Sequence, residues 1–453
     1  MTIHELVVLQ HNSFRRNHPY SVDERIVALE RLQEAILSRE AEITAALQYD
    51  LGKGRMESYM TEIGMVLKEI SFIIRRLSRW AAPRRVPTPL HLFPGRSVTV
   101  REPYGVVLIM APWNYPFLLS LIPFVGALAA GNHVVLKPSN MAPATAHLIH
   151  QLVAECFPME QAAVILGGRE ENQQLLEQQF DYIFFTGSRA VGQLVTEKAA
   201  RHMTPVTLEL GGKSPCIVDE SADIRLAARR IAFGKGLNAG QTCVAPDYVL
   251  AHSSIRQRLM DEISACWMDF YQNALENPEW PRMINRRHYE RAMGLLSGQH
   301  IYFGGMGDGS RIAPTILDQA TWASPVMQEE IFAPILPVLP YDRLDDAISQ
   351  IAAREKPLAL YLFTKRAAVR EKVLNQLSFG GGCINDTVMH LSSPHLPFGG
   401  VGPSGMGKYH GKNTFDTFSH EKAILKKGRF PDFKFRYPPF TGKKLEKVKK
   451  FLK

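Results

Sequence analysis

The sequence predicts an α/β protein whose central sheets are doubly wound, with helices on both faces. Strand-like and helix-like segments alternate from Gly105 to Gly187, and this alternation is typical of parallel βαβ units. Unbroken, largely β-branched runs such as Gly105 to Met110 fit strands that are buried on both faces. A chain of 453 residues exceeds what one hydrophobic core supports, so we expect a second domain of similar design.

The first hundred residues predict helices followed by an extended arm. Apolar residues recur at helical spacing within residues 21–80. Residues 81–97 contain four prolines, which favour an extended connection, an edge strand or an arm. Residues 96–105 then alternate in polarity as a strand does.

Polar residues and glycines follow several predicted strands of the first half. Asn114 follows the strand that ends at Met110, Lys137 ends the next strand, and Thr186–Gly187 end a later one. Ligands of doubly wound sheets bind beyond the carboxyl ends of strands, so these residues are candidates for a cofactor site. Gly187 to Gly192 opens a helix without the G-x-G-x-x-G fingerprint, which leaves a phosphate site and a plain turn both open.

The second half repeats the alternation with a different content. We expect a helix over residues 222–238 that runs into the Cys243 segment, a helix over 344–354 and a strand over 358–364. Residues 396–415 are rich in glycine and aromatic residues, which predicts a loop without a regular element.

Cys243 lies in the segment LNAGQTCVAPDY, where small residues and Pro246 favour a loop. Most single cysteines of intracellular proteins are inert packing residues. Three residue types nevertheless suit covalent carbonyl chemistry here. A Cys243 thiolate would add to a carbonyl, the Asn114 amide would stabilise the oxyanion, and Glu209 would later activate water. A solvated strand end for Glu209 and a simple turn for Asn114 stay open as alternatives.

The charge distribution argues against a nucleic-acid-binding body. Residues 422–453 contain 12 Lys and Arg against 2 Asp and Glu, and the rest of the chain has a net charge of −1. A nucleic-acid-binding body would present a basic face. Within the tail, Leu445, Val448, Phe451 and Leu452 recur among lysines, which favours a short amphipathic helix able to lie on an anionic membrane. A disordered tail is the alternative.

The cysteines and the N-terminus favour a cytoplasmic protein. Five cysteines without regular spacing do not form a disulfide framework, which indicates a reducing compartment. We find no signal peptide and no apolar run long enough to span a bilayer. His147 and His150 stand alone in a predicted helix, so we expect no metal site.

Several segments resemble the signature segments of the aldehyde dehydrogenase superfamily. They are PWNYP, LKPS, FTGS followed by VG, LELGGKSP, GQTCVAPDY, PVMQEEIF and LPFGGVGPSGMGKYHGK. The endings INDTVMH and FDTFSH, together with the length, are similar to the class 3 branch of that family. The likeness runs from about residue 20 to 425.

The resemblance implies a role for each site residue. Cys243 would be the nucleophile, Glu209 the general base, and Asn114 with the Cys243 backbone N–H the oxyanion hole. NAD, and NADP as well, would be the cofactor of an oxidation that turns an aldehyde into a carboxylic acid. The residues that would bind the cofactor are Trp113, Lys137, Gly187, Ser188, Gly192, Glu330 and Phe332.

The resemblance also implies a domain organisation and a homodimer. Residues 1–80 and 105–210 would form a Rossmann-like NAD(P)-binding domain, and 211–385 the catalytic domain. Residues 81–104 and 386–425 would form a small β oligomerisation arm with the C-terminal loop, and 426–453 the basic tail. The chain departs from the family at Asn140, where the branch has an acidic residue, and at Ala333, where the family has glycine.

Two rival functions remain on the same fold. An enzyme that passes its acyl group to coenzyme A would not need Glu209, and a non-catalytic protein would need none of Cys243, Glu209 and Asn114. The substrate is open as well. Phe233, Leu237 and Tyr115 either line an apolar access path or belong to the core, and the first case favours medium-chain aliphatic or aromatic aldehydes.

Overall fold

The computed structural model describes residues 1–17 and 20–451, and it begins with a block of helices. A capping box at Ser21 and Glu24 starts the second helix, whose Leu29, Leu32 and Ile36 are fully buried. The helices predicted over residues 21–80 are confirmed. They are preceded by a helix that the sequence did not indicate to us. The block comprises α1 (Ile3–Asn17), α2 (Val22–Ser38), α3 (Glu40–Leu51), α4 (Arg55–Ser58), a π-helical turn (Tyr59–Ile63), α5 (Gly64–Ile74) and α6 (Leu77–Ala81).

The rest of the described chain alternates strands and helices. The strands are β1 (Arg84–Val86), β2 (Arg96–Pro103), β3 (Val106–Met110), β4 (His133–Lys137), β5 (Ala162–Val164), β6 (Tyr182–Thr186), β7 (Val206–Glu209), β8 (Pro215–Val218), β9 (Tyr248–His252), β10 (His300–Phe303), β11 (Thr315–Asp318), β12 (Ile335–Tyr341), β13 (Ala359–Phe363), β14 (Gly381–Ile384), β15 (Gly405–Met406) and β16 (Ser419–Lys426). The helices are α7 (Pro116–Ala130), α8 (Pro143–Cys156), α9 (Arg169–Leu176), α10 (Arg189–Ala200), α11 (Ile224–Gly236), α12 (Ser253–Tyr271), α13 (Arg286–Gly294), α14 (Leu344–Ala352), α15 (Ala367–Gln376), α16 (Lys412–Thr417) and α17 (Gly442–Phe451).

The first large sheet has six strands in the order β15-β7-β6-β3-β4-β5. Its strands pair in parallel, apart from the antiparallel pairing of β15 with β7. Strand β3 lies between β4 and β6, so the chain winds outward from β3 in both directions. The segment after β3, which carries Asn114, therefore leaves the sheet at its topological switch point.

The second large sheet has seven strands in the order β10-β11-β12-β9-β8-β13-β14. Only β10 is antiparallel to its neighbour. Strand β8 is flanked by β9 and β13, so this sheet is doubly wound in the same manner. The predicted fold class, two α/β units with a small β arm, is confirmed.

The small arm is an antiparallel sheet in the order β1-β2-β16. Strand β16 pairs with β2 over its full length, from Ser419 opposite Pro103 to Lys426 opposite Arg96. The pairing joins two parts of the chain that lie more than 300 residues apart.

One expectation about local structure is wrong, and one predicted helix is confirmed with shorter ends. Residues 396–415 do contain regular elements, because β15 pairs with β7 and α16 begins at Lys412. The helix expected over 222–238 ends at Gly236, and a 3₁₀ turn with left-handed residues follows. A two-residue strand forms only through its tertiary partner, and a left-handed turn has no apolar periodicity, so neither leaves a pattern in the sequence.

The basic tail carries the short helix α17, whose Leu445 is exposed. Leu452 and Lys453 lie outside the described residues. Within residues 1–17 and 20–451, no helix is long and apolar enough to cross a membrane.

Candidate active site

A cavity of about 920 Å³ collects residues from both large sheets. Eight of the ten predicted site residues line it, namely Trp113, Asn114, Gly187, Ser188, Glu209, Cys243, Glu330 and Phe332. Its volume suits a large cofactor together with a small substrate. Within the described part of the chain, no group of three or more His, Cys, Asp or Glu side chains could hold a metal ion.

The Cys243 thiol is presented by an unusual turn. Asn238, Ala239 and Gly240 follow α11 in succession with φ of 50°, 49° and 71°. A Cβ on Gly240 would lie 2.4 Å from the carbonyl oxygen of Ala333, so only glycine fits there. The Gln241 side chain anchors the turn by donating to the Asn238 and Arg282 carbonyls and by accepting from the Ile284 N–H.

The electrostatic surroundings of Cys243 favour the neutral thiol. Burial raises the pKa of Cys243, and the carboxyl groups of Glu330 and Glu209 raise it further. The backbone N–H groups of Cys243 and Val244 act in the opposite direction. A thiolate must therefore be generated against this environment.

Asn114 lies against the same turn. The Asn114 Nδ2 donates to the Gln241 carbonyl at 3.0 Å, and Asn114 is 4% exposed. An amide nitrogen carries two hydrogens, so one remains available beside Cys243. The Asn114 backbone carbonyl accepts from Asn238 Nδ2 at 2.7 Å and from Lys53 Nζ at 3.2 Å.

Glu209 ends β7 with a buried carboxyl group. Neither of its oxygens has a hydrogen-bond partner among the residues that the structure describes. Burial raises the pKa of Glu209 well above its ordinary value. An unpaired buried carboxyl group is unfavourable for folding and therefore points to a function.

Glu330 and Phe332 reach the cavity from the segment before β12. A Cβ on Gly211 would lie 2.1 Å from Glu330 Oε2, so the glycine makes room for this carboxyl group. Phe332 adopts a left-handed φ of 50°, a strained conformation for a bulky residue. Its ring packs edge-on against Trp113 at 5.5 Å, and Trp113 packs against His288 at 5.0 Å.

A partly buried ion pair joins the Glu330 segment to the cysteine segment. Lys213 Nζ donates to Asp247 Oδ2 at 2.6 Å and to the Val326 and Glu329 carbonyls. Asp247 Oδ1 accepts from the Ile331 N–H at 3.0 Å. These bonds fix the position of residues 326–332, which form one wall of the cavity, relative to the segment that carries Cys243.

Comparison with known proteins identifies the family. The profile described as "Aldehyde dehydrogenase family" matches residues 4–424. The chain is 50% identical over 430 residues to the 4,4'-diaponeurosporen-aldehyde dehydrogenase of Staphylococcus aureus, covering 94% of each. It is 44% identical over 445 residues to aldehyde dehydrogenase family 3 member A2 of Mus musculus, covering 97% of this chain and 92% of the relative.

This chain belongs to the aldehyde dehydrogenase family. Its relatives include family 3 members, which confirms the class 3 branch. A solved structure described as the substrate-bound state of Staphylococcus aureus AldH matches with a TM-score of 0.98 at 47% identity, over 100% of both chains. The protein is thus an NAD(P)-dependent aldehyde dehydrogenase, which oxidises aldehydes to acids.

The cavity of this aldehyde dehydrogenase has features that fit a dinucleotide. Helix α10 begins at Arg189, directly after Gly187 and Ser188, and residues 187–190 line the cavity. The side chains of Trp113 and Phe332 line it as well. A helix N-terminus suits phosphate groups, and aromatic side chains suit a flat heterocycle.

Two predicted cofactor residues do not line the cavity. Lys137 Nζ donates to the carbonyls of Pro138 and Gly167 at 2.9 and 2.7 Å, and burial lowers the pKa of Lys137 to about 8. Gly192 is buried in α10, where a Cβ would lie 2.8 Å from Leu210 Cδ2. Its small size serves the packing of α10 against the residue that follows β7.

The structure shows where Ala333 lies and where the residues of the expected access path lie. Ala333 is fully buried in the core behind the cavity, so its methyl group does not line the cavity. Phe233 lies in the last turn of α11, and the Leu237 N–H that follows it donates to the Phe233 carbonyl; both side chains are partly buried and pack against the core. Tyr115 is buried, and its hydroxyl bonds Thr242 Oγ1 at 2.7 Å. These contacts favour the core alternative for the three residues, and none of the three lines the cavity.

Sequence reasoning missed several residues of the site. Lys213 and Asp247 lie inside quoted motifs, and a lysine and an aspartate at buried strand edges could have suggested their pairing. His288, Phe398 and Tyr409 line the cavity from distant segments and carry no local pattern. Only the tertiary structure brings them together.

Proposed function

We propose that this enzyme oxidises apolar aldehydes through a covalent intermediate on Cys243. The single observation that carries this proposal is the buried Glu209 carboxyl group, which has no hydrogen-bond partner in residues 1–17 and 20–451 and lines the same cavity as the thiol. A carboxyl group in such a position is suited to activate water at a thioester. The assignments of Asn114, Cys243 and Glu209 all depend on this shared cavity.

The first half of the reaction forms a bond between Cys243 Sγ and the aldehyde carbon. The Cys243 thiol releases its proton to solvent, and the aldehyde oxygen becomes an oxyanion that accepts from Asn114 Nδ2 and the Cys243 N–H. The oxidised nicotinamide supplies the hydride acceptor for the step that converts this adduct to a thioester. Glu330, Phe332 and Trp113 would hold the cofactor against Cys243, with Gly187, Ser188 and the start of α10 at its phosphates.

The second half hydrolyses the thioester. Glu209 takes a proton from water as the water oxygen attacks the acyl carbon, and the carbon–sulfur bond then breaks. The carboxylic acid leaves and the Cys243 thiol is restored. Burial raises the pKa of Glu209, so its carboxylate, once formed, binds a proton from water more strongly than an exposed carboxylate would.

The two rival functions have less support. Transfer of the acyl group to coenzyme A requires no base for water, whereas a buried Glu209 without a partner is unfavourable unless it is used. A non-catalytic protein would gain nothing from the left-handed turn that presents Cys243.

The Glu209→Gln variant tests the proposal. We expect one equivalent of reduced cofactor per active site in a rapid burst, then a steady rate lower by roughly 10²-fold, because acylation survives and hydrolysis stalls. Intact-mass analysis should show the acyl group on Cys243. The matched control is Glu330→Gln, which alters the other cavity carboxyl group near the thiol and should weaken cofactor binding without acyl accumulation. Unimpaired turnover of Glu209→Gln would assign the base elsewhere.

The substrate we propose is a medium-chain aliphatic or aromatic aldehyde. Phe398 packs against Tyr409 at 5.6 Å, and both line the cavity with Leu119. These side chains favour an apolar group next to the reacting carbonyl. The name of the Staphylococcus aureus relative makes 4,4'-diaponeurosporen-aldehyde the second candidate substrate. A series of kcat/KM values against chain length distinguishes the two.

Cofactor choice, assembly and location complete the proposal. We propose that NAD and NADP are both used, because Asn140 is neutral where the branch carries an acidic residue.

The arm of β1, β2 and β16 would join two chains into a homodimer, which sedimentation velocity can test. Five free cysteines fit a reducing compartment, so the enzyme would be cytoplasmic, with peripheral membrane contact through its basic tail.

A further inference from the structure

A fully buried ion pair lies beside the Asn114 turn. Lys53 follows α3, Glu62 belongs to the π-helical turn, and both side chains have no exposed surface. Lys53 Nζ donates to Glu62 Oε1 at 2.5 Å. Removing two charges from water is costly, and an apolar pair of similar volume is often as stable. Stability alone is therefore a weak reason for this pair.

The ion pair contacts the turn between β3 and α7 at several points. Glu62 Oε2 accepts from the backbone N–H groups of Phe117 and Leu118 at 2.9 and 3.2 Å, which caps the start of α7. Lys53 Nζ donates to the Asn114 carbonyl at 3.2 Å and lies 3.9 Å from the centre of the Tyr115 ring. The backbone that follows the Asn114 side chain is thereby fixed.

The same stretch of chain also holds the cysteine turn. Glu57 Oε1 accepts from the Asn238 N–H at 2.7 Å. Asn238 Nδ2 in turn donates to the carbonyls of Asn114 and Gln241, at 2.7 and 3.1 Å. Residues 53–62 thus contact a turn from the first large sheet and a turn that precedes β9 of the second.

We infer that Lys53 is a positioning residue for the oxyanion site, acting through Asn114. The inference rests on the proposed roles of Asn114 and Cys243. The Lys53 ammonium group and Asn238 together hold the Asn114 carbonyl, which fixes the backbone torsions that aim the Asn114 amide. One amide hydrogen bonds Gln241, and the other is then directed at the space beside Cys243. Without Lys53, the amide can rotate away from the developing oxyanion.

A double-mutant cycle tests the inference. The four proteins are the parent, Lys53→Met, Asn114→Ala and the combined variant, and the measured quantities are kcat and kcat/KM for an aldehyde and the Kd for NAD. Misplacing a catalytic group by about 1 Å can lower a rate about 10²-fold, so we expect a loss of this order in kcat for Lys53→Met with an unchanged Kd. In the Asn114→Ala background, Lys53→Met should have no further effect. Equal losses in both backgrounds would overturn the inference.

Alkylation of Cys243 separates positioning from general damage to the site. Iodoacetamide reacts by displacement at carbon and forms no oxyanion, so its rate at Cys243 should be the same in Lys53→Met and the parent. A parallel loss of alkylation and turnover would overturn the inference in favour of a purely structural role. Peptide mass spectrometry quantifies the modification.

A second variant covers a failure of Lys53→Met to fold. Lys53→Met combined with Glu62→Gln removes both charges and keeps an oxygen that can cap α7. The same loss of kcat and the same unchanged alkylation are expected from it, and full activity would overturn the inference. An Asn114→Ala enzyme with full kcat/KM would instead overturn the proposed role of Asn114, and the inference with it. Additive losses from Lys53→Met and Asn114→Ala would overturn only the inference about Lys53 and would leave the proposed role of Asn114 intact.

Discussion

The chemistry of Cys243 depends on a thiol that its surroundings keep protonated. Burial and the neighbouring carboxyl groups raise the pKa of Cys243, so only a small thiolate fraction exists at neutral pH. The left-handed turn from Asn238 to Gly240 fixes where that thiol lies, while neighbouring charges determine how readily it ionises. The position of the Cys243 thiol and its readiness to ionise are thus set by different residues.

We expect alkylation of Cys243 by iodoacetamide to rise about tenfold per pH unit from pH 7 to 9. The reason is that the thiolate fraction grows tenfold per unit below the pKa. Timed alkylation followed by peptide mass spectrometry measures the rate, with the partly exposed Cys266 as an internal comparison. An alkylation rate that levels off below pH 8 would show that the pKa of Cys243 is not raised.

Asn140 gives a prediction about the cofactor. Its exposed side chain lies beside Gly168 at the end of β4, and it lacks the charge that repels a 2′-phosphate. We expect kcat/KM for NADP to lie within about 10³-fold of that for NAD, a difference of roughly 4 kcal/mol. Asn140→Glu should shift the ratio towards NAD by tenfold or more, whereas the control Asn140→Gln should not. A larger preference for NAD in the parent enzyme would contradict the idea.

At the scale of elements, helix α5 is tied to the loop before α16. Glu69 Oε1 accepts from the Gly411 N–H at 2.6 Å, and the residue is 6% exposed. Burial raises the pKa of Glu69 to about 7 from an ordinary 4.5. The folded protein therefore binds a proton more tightly than the unfolded chain does.

This shift predicts a pH dependence of stability. The contribution of protonated Glu69 is fully present below pH 4.5 and is lost as the pH rises through 7, a loss of roughly 3 kcal/mol at most. Glu69→Gln stays neutral, so its melting temperature should fall less between pH 5 and pH 8 than that of the parent. Thermal unfolding at the two pH values measures the difference. Parallel decreases in the two proteins would rule out Glu69 as the cause.

The elements that the sequence predicted are those with a repeating physical pattern. Helix α2 shows its apolar period, and β3 its unbroken apolar run. Strand β15 has two residues and exists because it pairs with β7, so no local pattern predicts it. The same holds for the site. Sequence motifs predicted eight of the residues that line the cavity. Lys53, Glu62 and His288 could not be predicted, because their contacts exist only in the folded chain.

At the scale of the whole molecule, charge is concentrated at one end. The chain without residues 422–453 has a net charge of −1, and those residues carry +10. The tail also exposes Phe430, Phe440 and Leu445. Lysines next to exposed apolar side chains suit an anionic lipid surface, where each basic residue contributes about 1 kcal/mol at low salt.

We expect the enzyme to sediment with anionic vesicles at low salt and to be released at high salt. Neutral vesicles should bind less, because the apolar contribution of so short a helix is small. A variant that ends at Lys426 should lose the binding and keep its kcat. Equal sedimentation with both kinds of vesicle would contradict an electrostatic attachment.

The pairing of β15 with β7 has a consequence for biosynthesis. Glu209 lies opposite Gly405, and Phe398 and Tyr409 close the cavity beside it. A nascent chain that has exposed Cys243 still lacks this wall, since Gly405 lies 162 residues after Cys243. The wall beside Glu209 is assembled only when the last tenth or so of the polypeptide emerges from the ribosome. Until then the thiol lies in an open groove, so a growing polypeptide is more vulnerable to reactive aldehydes than the finished enzyme.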